Sequence, residues 1–246
     1  MSAAMQYPDW DLIACPVCAG TTFRHLFDKA GEPFVRCVAC ELTLINPRPP
    51  FDRIREHYDA AYSAGYTRKA EAKIIRARKR VARIGRAGGR WLDVGCSAGF
   101  VVKAATEAGF EAFGVDIEAD GIAYGRDTLG LSRLACGVLE EQHYPDAHFD
   151  VISAYDVIEH VPDLNRFVAE LARILAPDGV LDIGTPDIGH WRVPRTLSRW
   201  NELKPSEHLY YFNRKTLGRL LAAHGLRIVR KRLALKPGLK VLVAHA

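Results

Sequence analysis

The chain contains, at residues 91–100, the sequence WLDVGCSAGF. Its first four residues are a short, mostly apolar run, which is typical of a buried β-strand. Gly95 and Gly99 follow, and glycine lets a backbone turn sharply and come close to a ligand. The helix that we expect after Gly99 presents unpaired N–H groups and the positive end of its dipole. This stretch therefore predicts a strand, a tight turn and a helix that together hold a ligand.

Strand and helix patterns alternate from this stretch onward. We expect the next strand at 110–117, further strands at 134–136, 149–154 and 180–184, and a terminal pair at 226–233 and 239–244. We expect helices from the glycine turn to residue 108 and at 122–129, 165–175 and 215–224. Such alternation is typical of an α/β protein with a mostly parallel sheet and helices on both of its faces.

The spacing of the glycines indicates which ligand the turn binds. A dinucleotide fingerprint, G-x-G-x-x-G, would need glycine where Ser97 and Phe100 stand. The chain instead has D-x-G-x-x-x-G, beginning at Asp93, and an acidic side chain, Asp116, at the end of the next strand. S-adenosylmethionine (SAM) carries an ammonium and a sulfonium and no phosphate, so these carboxylates favour SAM over NAD. The alternative is a glycine turn that only closes an ordinary βα unit.

Residues 88–246 resemble class I SAM-dependent methyltransferases, which have a Rossmann-like fold with a seven-stranded sheet. The resemblance rests on an ordered series of motifs: LDVGCSAGF, GVDI, PDAHFDVISAYDVIEHVPD, LAPDGVLDIGTPD and EHLYYFNRKTLGRLLAAHGL. The last of these is similar to O-methyltransferases of the ubiquinone pathway and to many sugar and natural-product enzymes.

The resemblance implies roles for individual residues. Asp93 would lie near the methionine ammonium, the turn at Gly95, Cys96 and Gly99 would form the floor, and Asp116 with Ile117 would hold the ribose. Val138 and Leu139 would flank the adenine, and Tyr155 and Asp156 would lie beside the methyl donor. Tyr58, Tyr62 and Tyr66 share one helical face, and Tyr62 would cap SAM, although packing explains such a stripe equally well. Gly137 departs from the family, which often has Asp there.

Two histidines are candidates for the base that a hydroxyl acceptor would need. His160 follows the fourth strand, and His208 lies where a long aromatic segment, residues 185–213, ends. Each could instead hold a loop or pack in a core. A Mg²⁺ ion bound by Glu159 is a weaker alternative. A long irregular segment in a compact domain is often a lid, and its aromatic residues favour a ring-bearing or sugar acceptor.

Four cysteines form two C-x-x-C pairs, Cys15 with Cys18 and Cys37 with Cys40. This spacing predicts a zinc ribbon at 10–45 with a closed, structural Zn²⁺ site. So short a module needs such a metal because it cannot build a sufficient core. We expect the remaining cysteines, Cys96 and Cys136, to be buried small residues. Residues 46–87 would form a linker and helical cap, and residues 88–246 the SAM-binding core.

The charge is concentrated in one segment. Residues 68–90 carry ten Lys or Arg and one Glu, so the rest of the chain has a net charge of −4 within the total of +5. Residues 68–86 have a helical pattern. This basic helix is either a solvated face or a site for an acidic or phosphate-bearing partner.

These observations predict a cytoplasmic enzyme that methylates a small acceptor, an oxygen of a sugar, quinone or polyketide-like compound in natural-product biosynthesis. RNA methylation and a non-catalytic nucleic-acid-binding module are the alternatives. No apolar run approaches the roughly 20 residues that span a bilayer, and the first residues lack the pattern of a signal peptide. We therefore expect no membrane partner.

Overall fold

The computed structural model describes residues 9–50 and 70–246. Tyr58, Tyr62 and Tyr66, including the predicted Tyr62 cap, lie outside these residues. The elements of the first part are β1 (Phe23–Lys29), β2 (Glu32–Cys37), β3 (Thr43–Ile45), α1 (Ala70–Ala82), β4 (Arg90–Val94), α2 (Phe100–Glu107), β5 (Glu111–Asp116) and α3 (Ala119–Asp127). They continue with β6 (Leu134–Cys136), β7 (Phe149–Tyr155), α4 (Leu164–Ile174), β8 (Leu175–Pro186), β9 (Tyr210–Tyr211), α5 (Arg214–Ala222), β10 (Leu226–Arg232) and β11 (Gly238–His245).

The large sheet has seven strands in the order β10-β11-β8-β7-β4-β5-β6. The five strands from β8 to β6 are parallel, whereas β11 pairs antiparallel with β8 and β10 antiparallel with β11. The chain first moves outward from β4 to β5 and β6, and then returns to the other side of β4 at β7. This reversal next to β4 is the point at which open α/β sheets bind ligands. The sequence-based expectation of a mostly parallel, Rossmann-like sheet is confirmed.

Helices cover both faces of this sheet. On one face, α4 and α5 pack through apolar residues of helical spacing, such as Phe167, Leu171 and Leu217. On the other face, α1 and α2 form a second core around Trp91, which is fully buried. Buried strands covered on both faces explain why β4 and β7 are nearly continuous apolar runs.

Side chains at the helix N-termini explain where two of the helices begin. The carboxylate of Asp163 accepts a hydrogen bond from the backbone N–H of Arg166 at the start of α4. At the start of α5, Asn213 and Thr216 form a reciprocal capping box. Caps of this kind satisfy backbone donors that a helix leaves unpaired.

A second sheet has the order β1-β2-β3-β9. Its first three strands belong to the predicted ribbon, and its fourth, Tyr210–Tyr211, comes from the far end of the chain and pairs antiparallel with β3. The backbone of Asp187, just after β8, bridges to Phe212. The small sheet is therefore joined to the carboxyl edge of the large one.

Among the described residues, no helix combines the length and the apolar character needed to cross a bilayer.

Candidate functional site

A cavity of about 500 Å³ opens at the carboxyl ends of β4, β5 and β7. This volume lies in the usual range for small-molecule sites, about 300–1,000 Å³. Its walls include six of the predicted cofactor residues, which are Gly95, Asp116, Ile117, Val138, Leu139 and Tyr155. The structure therefore brings together, at the strand-order reversal, residues that are up to 60 positions apart in the sequence.

The glycine turn needs its glycines for steric reasons. Gly95 has φ +70°, and a Cβ there would lie 2.2 Å from the Cγ2 atom of Val157. Gly99 has φ +77°, and a Cβ there would lie 2.6 Å from a methyl group of Leu131. Both the left-handed backbone and the close packing exclude larger residues. The two glycines thus allow the backbone of the turn to lie against the cavity.

The carboxylate of Asp116 fixes this turn. Its two oxygens accept hydrogen bonds from the backbone N–H groups of Ser97, at 2.7 Å, and Glu118, at 2.9 Å. Each carboxylate oxygen has a second lone pair, so the group can still accept a ribose hydroxyl. Burial raises the pKa of Asp116, an effect opposed by these backbone N–H donors. Asp116 therefore both shapes the turn and faces the ligand space.

Val138 and Leu139 line the opposite side of the cavity, together with the backbone of Gly137. Gly137 donates its N–H to the backbone oxygen of Asp116 at 2.9 Å. Glu140, which the sequence analysis did not single out, also lines the cavity, and burial raises its pKa. This side of the cavity is mostly apolar, which suits a flat heterocycle.

Three predicted cofactor residues do not line the cavity. Asp93 is buried beneath the turn, where one carboxylate oxygen accepts a hydrogen bond of 2.6 Å from the Ser153 hydroxyl. Burial raises the pKa of Asp93 to about 7. Cys96 is buried, and its sulfur lies near Gly114 of β5. Gly99 supports the turn from behind, as the residue that precedes α2.

Cys136, expected to be buried, is exposed. It ends β6, the outermost strand of the large sheet on its side, so no further strand covers it. That expectation was wrong because an edge strand of three residues gives its last side chain little cover.

Tyr155, the last residue of β7, is held in place by contacts with two neighbouring strands and with α1. Its hydroxyl donates to Asp182 on β8 at 2.5 Å, and Arg232 on β10 donates to the same carboxylate oxygen at 2.7 Å. The guanidinium of Arg80, from α1, lies over the ring of Tyr155. Its positive charge also opposes the rise in the pKa of Asp93 and of Asp156 that burial causes. Sequence reasoning assigned Arg80 to the surface of the basic helix and missed this position beside the cavity.

The two candidate histidines lie edge to face, with ring centroids 4.6 Å apart. His160 lines the cavity, and its Nδ1 lies 2.7 Å from the backbone oxygen of Glu207. His208 is buried behind it, with Nδ1 2.9 Å from the backbone oxygen of Glu202. A carbonyl oxygen only accepts, so both rings carry a proton on Nδ1 and a basic Nε2. Burial lowers the pKa of His160 to about 4 and that of His208 to about 3.

Glu159 completes this cluster. One of its oxygens accepts a hydrogen bond from Thr185 at 2.9 Å, and the other has no hydrogen-bond partner among the described residues. Burial raises the pKa of Glu159 to about 8. Glu159, His160 and His208 each offer one ligand atom, and these atoms lie within 4.8 Å of one another. Two imidazoles and one carboxylate suit a transition metal better than Mg²⁺, which prefers oxygen ligands.

The aromatic residues of the 185–213 segment are mostly interior. Trp200, Tyr210, Tyr211 and Phe212 are buried, whereas Trp191 is 74% exposed. Tyr211 packs on Phe34 of the small sheet, with ring centroids 5.5 Å apart. The expectation that these residues form a surface for a ring-bearing or sugar acceptor is wrong for the four buried ones, because they pack within two hydrophobic cores.

The four ribbon cysteines cluster as their spacing predicts. The sulfurs of Cys15 and Cys40 lie 3.4 Å apart and those of Cys18 and Cys37 3.5 Å apart, and all four lie within 4.8 Å of one another. Thiolates placed tetrahedrally at about 2.3 Å from Zn²⁺ have separations close to these. The donor set and its geometry therefore fit a structural zinc ion.

Part of the charge on the basic helix is used within the protein. Arg78 pairs with Glu107 on α2 at 2.8 Å, and the ammonium of Lys73 lies over the ring of Phe100. Arg76 and Arg83 are exposed. An acidic or phosphate-bearing partner at this helix stays a prediction.

Residues 66–231 match the family model described as a methyltransferase domain. Among curated proteins, a ubiquinone biosynthesis O-methyltransferase of Rhodopseudomonas palustris (strain TIE-1) is 30% identical over 147 residues. That alignment covers 52% of this chain and 58% of the relative. The chain therefore matches little more than half the length of this relative.

Solved structures share the fold. The 1,6-didemethyltoxoflavin-N1-methyltransferase of Burkholderia thailandensis, solved with 1,6-didemethyltoxoflavin and S-adenosylhomocysteine, gives a TM-score of 0.61 at 17% identity, over 91% of this chain and 99% of that one. The mitomycin 7-O-methyltransferase gives a TM-score of 0.60 at 19% identity, over 80% and 60%. At such identities the likeness concerns the fold alone.

Proposed function

Because this chain belongs to the methyltransferase domain family, as the match over residues 66–231 shows, we propose that it transfers a methyl group from SAM to an oxygen of a small acceptor. The observation that carries the proposal is the cavity at the strand-order reversal, lined by Gly95, Asp116 and Tyr155. A glycine turn, a carboxylate at the end of the next strand and an apolar wall suit an adenosyl ligand without phosphates.

SAM would lie across the carboxyl edge of the large sheet. Asp116 accepts hydrogen bonds from the ribose, and Val138 and Leu139 contact the adenine. Tyr155 would contact the methionine part, and Arg80, which lies over the Tyr155 ring, would supply a cation for the carboxylate of SAM. Asp93 would favour the methionine ammonium by its negative charge, from its buried position beneath the turn. Methyl transfer needs the acceptor oxygen, the methyl carbon and the sulfur in line, and a rigid pocket supplies this alignment.

His160 is the residue that we assign as general base. It lines the cavity, and its Nδ1 proton is held by the Glu207 carbonyl. Its Nε2, which lies 4.0 Å from a Glu159 carboxylate oxygen, is the atom that we assign to take the proton of the acceptor hydroxyl. His208 packs against the edge of the His160 ring and is assigned a positioning role. In this assignment His160 Nε2 would take the proton of the acceptor hydroxyl as the bond between the acceptor oxygen and the methyl carbon forms and the bond from that carbon to sulfur breaks. The products would be a methyl ether and S-adenosylhomocysteine.

A quinol or another phenolic ring is the first acceptor class to test. Its support is the similarity to the ubiquinone biosynthesis O-methyltransferase and the apolar cavity wall. Sugars and polyketide-like compounds are the next classes, as in natural-product biosynthesis. The four-cysteine cluster supports a structural Zn²⁺ ion that fixes the ribbon.

Calorimetry of the purified full chain with SAM and with S-adenosylhomocysteine tests the cofactor. We expect both to bind, and Asp116→Asn to weaken both by about tenfold, since one acceptor of the ribose hydroxyls becomes a donor. A thermal unfolding scan of the variant verifies that it folds. Heat from neither ligand would refute the proposal.

Labelled SAM then tests the acceptor. The chain is incubated separately with phenolic and quinol compounds, with sugars and with RNA. Label in a small molecule, released as a methyl ether, supports the proposal. Label that enters RNA alone would replace it with RNA methylation.

A further inference from the structure

An exposed apolar patch lies outside the cavity. It consists of Trp191, Leu233 and Leu235, which are 74%, 90% and 70% exposed. Single exposed apolar residues, such as Leu12 or Ile75, are common on protein surfaces. These three differ from them because hydrogen bonds join the loop that carries Trp191 to the turn that carries the two leucines. An exposed apolar patch of this kind usually marks an interaction site.

Three contacts connect the loop that carries Trp191 to the turn that carries the two leucines. The Nε2 atom of His190 lies 3.0 Å from the backbone oxygen of Ala234, and the His190 ring stacks on Trp191. The backbone N–H of Asp187 donates to the backbone oxygen of Pro237 at 3.3 Å, and the Asp187 carboxylate lies 3.3 Å from the ammonium of Lys231. The loop and the turn therefore present one surface.

The exposed charge carried by the two segments around this patch is positive. Residues 188–201 and 226–246 together contain nine Lys or Arg and no Asp or Glu. Arg232 is paired with the buried Asp182 and Lys231 with the buried Asp187. The exposed cations include Arg192, whose guanidinium lies over the Trp191 ring, and Lys236, between the two leucines and β11. An occupant of the patch therefore needs apolar material together with negative charge.

The patch lies at the functional edge of the sheet. Gly238, at the end of the turn, pairs with Pro186, the last residue of β8. β8 runs parallel to β7, which ends at Tyr155 in the cavity wall. The apolar patch and the opening of the cavity thus both lie at the carboxyl edge of the large sheet.

We propose that the patch of Trp191, Leu233 and Leu235, with its surrounding arginines and lysines, binds the surface of an anionic phospholipid bilayer. Leucines insert below the headgroups, tryptophan is favoured at the interface, and lysine and arginine attract anionic lipids. A purely apolar partner surface would leave the concentrated positive charge unexplained. This proposal adds a bilayer as a partner, where the sequence predicted none.

Vesicle sedimentation of the full chain tests the proposal. We expect binding to vesicles that contain phosphatidylglycerol and much weaker binding to phosphatidylcholine alone. Leu233→Ser/Leu235→Ser should weaken binding by at least about tenfold, since two inserting side chains are lost. These residues are exposed, so the variant should keep its thermal stability. Leu12→Ser, an exposed leucine of the ribbon, is the matched control and should bind as the unchanged chain does.

Charge variants separate this surface from general electrostatic attraction. Arg192→Gln/Arg195→Gln should weaken binding more than Arg76→Gln/Arg83→Gln on the basic helix, although both remove two exposed cations. An equal loss from both pairs, with no loss from the leucine variant, would overturn the proposal. So would a dimer of the unchanged chain that the leucine variant abolishes while vesicle binding is absent.

Tryptophan emission gives an independent readout. Trp91 and Trp200 are buried, whereas Trp191 is exposed, so anionic vesicles should shift the emission to shorter wavelength and Trp191→Phe should remove that shift. An unchanged spectrum at saturating vesicles would refute insertion. These measurements need neither SAM nor an acceptor, so their failure would leave the proposed methyl transfer standing, and the reverse also holds.

Discussion

The guanidinium carbon of Arg80 lies 4.1 Å from the centre of the Tyr155 ring. This contact places a cation from α1 against Tyr155, which lines the part of the cavity that would receive the methionine part of SAM. Arg80→Ala should therefore weaken the binding of S-adenosylhomocysteine by about tenfold, the loss expected for one hydrogen bond to a charged group. It should leave the binding of 5′-methylthioadenosine, which lacks the amino acid part, nearly unchanged. Calorimetry with both ligands measures the difference.

Arg76→Gln, on the exposed side of the same helix, is the control and should change neither affinity. If Arg80→Ala weakened both ligands equally, Arg80 would act by shaping the pocket and not by binding the carboxylate.

His160→Gln should lower kcat by about a hundredfold, as expected for the loss of a general base, and should leave the affinity for SAM within about twofold of its original value. His25→Gln, an exposed histidine of the ribbon, should have no effect. Steady-state kinetics with the identified acceptor, together with calorimetry, measures both quantities. A variant that retains its kcat would remove His160 as the base.

The burial of His160 also determines the pH dependence of kcat. Because the pKa of His160 is lowered to about 4, the ring stays neutral near pH 6.5, where an exposed histidine titrates. We expect kcat to show no step near pH 6.5 and to fall only as the pH approaches 4. A bell-shaped profile whose acid limb lies near pH 6.5 would contradict this assignment.

Asp93→Asn should stabilise the fold at pH 8. Burial raises the pKa of Asp93 from 3.8 to about 7, so between these values the unfolded chain loses its proton while the folded chain keeps it. The contribution of Asp93 to the free energy of unfolding therefore falls as the pH rises through this window and is constant above it. Asn keeps an oxygen for the Ser153 hydroxyl and cannot ionise.

The expected gain grows from pH 4 to 7 and reaches on the order of 2 kcal/mol at pH 8. Thermal and urea unfolding across this range measure it. Asp127→Asn, at an exposed position on α3, should give no such pH-dependent gain. A gain from Asp93→Asn that did not vary with pH would show that burial does not hold the proton on Asp93.

Cys15→Ser should abolish zinc binding and lower the melting temperature, because four thiolates close the proposed site. Cys136→Ser should change neither, since that thiol is exposed and lies outside the cluster. Elemental analysis of purified protein should find zinc in the unchanged chain and in the Cys136→Ser variant, but not in the Cys15→Ser variant. Zinc retained in Cys15→Ser would place the metal elsewhere.

Much of the large sheet could be predicted because its signals are local. The apolar runs of β4 and β7, the glycine turn at residues 95–99 and the Lys-Pro-Gly turn before β11 each act within a few residues. For the same reason the sequence alone was enough to single out Asp116, at the end of the strand that follows the turn, which lines the cavity. The predicted β8 was too short, since Leu175 leaves α4 directly in an extended conformation.

Other features depend on pairing across the chain, which no local pattern reveals. β3 and β9 have three and two residues, too few to show a period. Charge on a helix indicates exposure, so the sequence did not distinguish Arg80 from its neighbours, although the fold places it against Tyr155 of β7. The buried Tyr210 and Phe212 resembled a binding surface because sequence alone does not show that another sheet covers them. The domain boundaries at 45 and 87 stay a prediction. The small sheet is not confined to the first domain, because its fourth strand, β9, comes from the third.

The pairing of β3 with β9 also has a consequence for how the protein is made. Residues 43 and 44 leave the ribosome early, but their partners, residues 211 and 210, are synthesised more than 160 residues later. The four cysteines would be able to bind a metal as soon as residue 40 emerges, whereas the sheet beside them keeps an open edge until β9 is made. Translation would thus separate metal binding, an early local event, from the later pairing of the ribbon with β9.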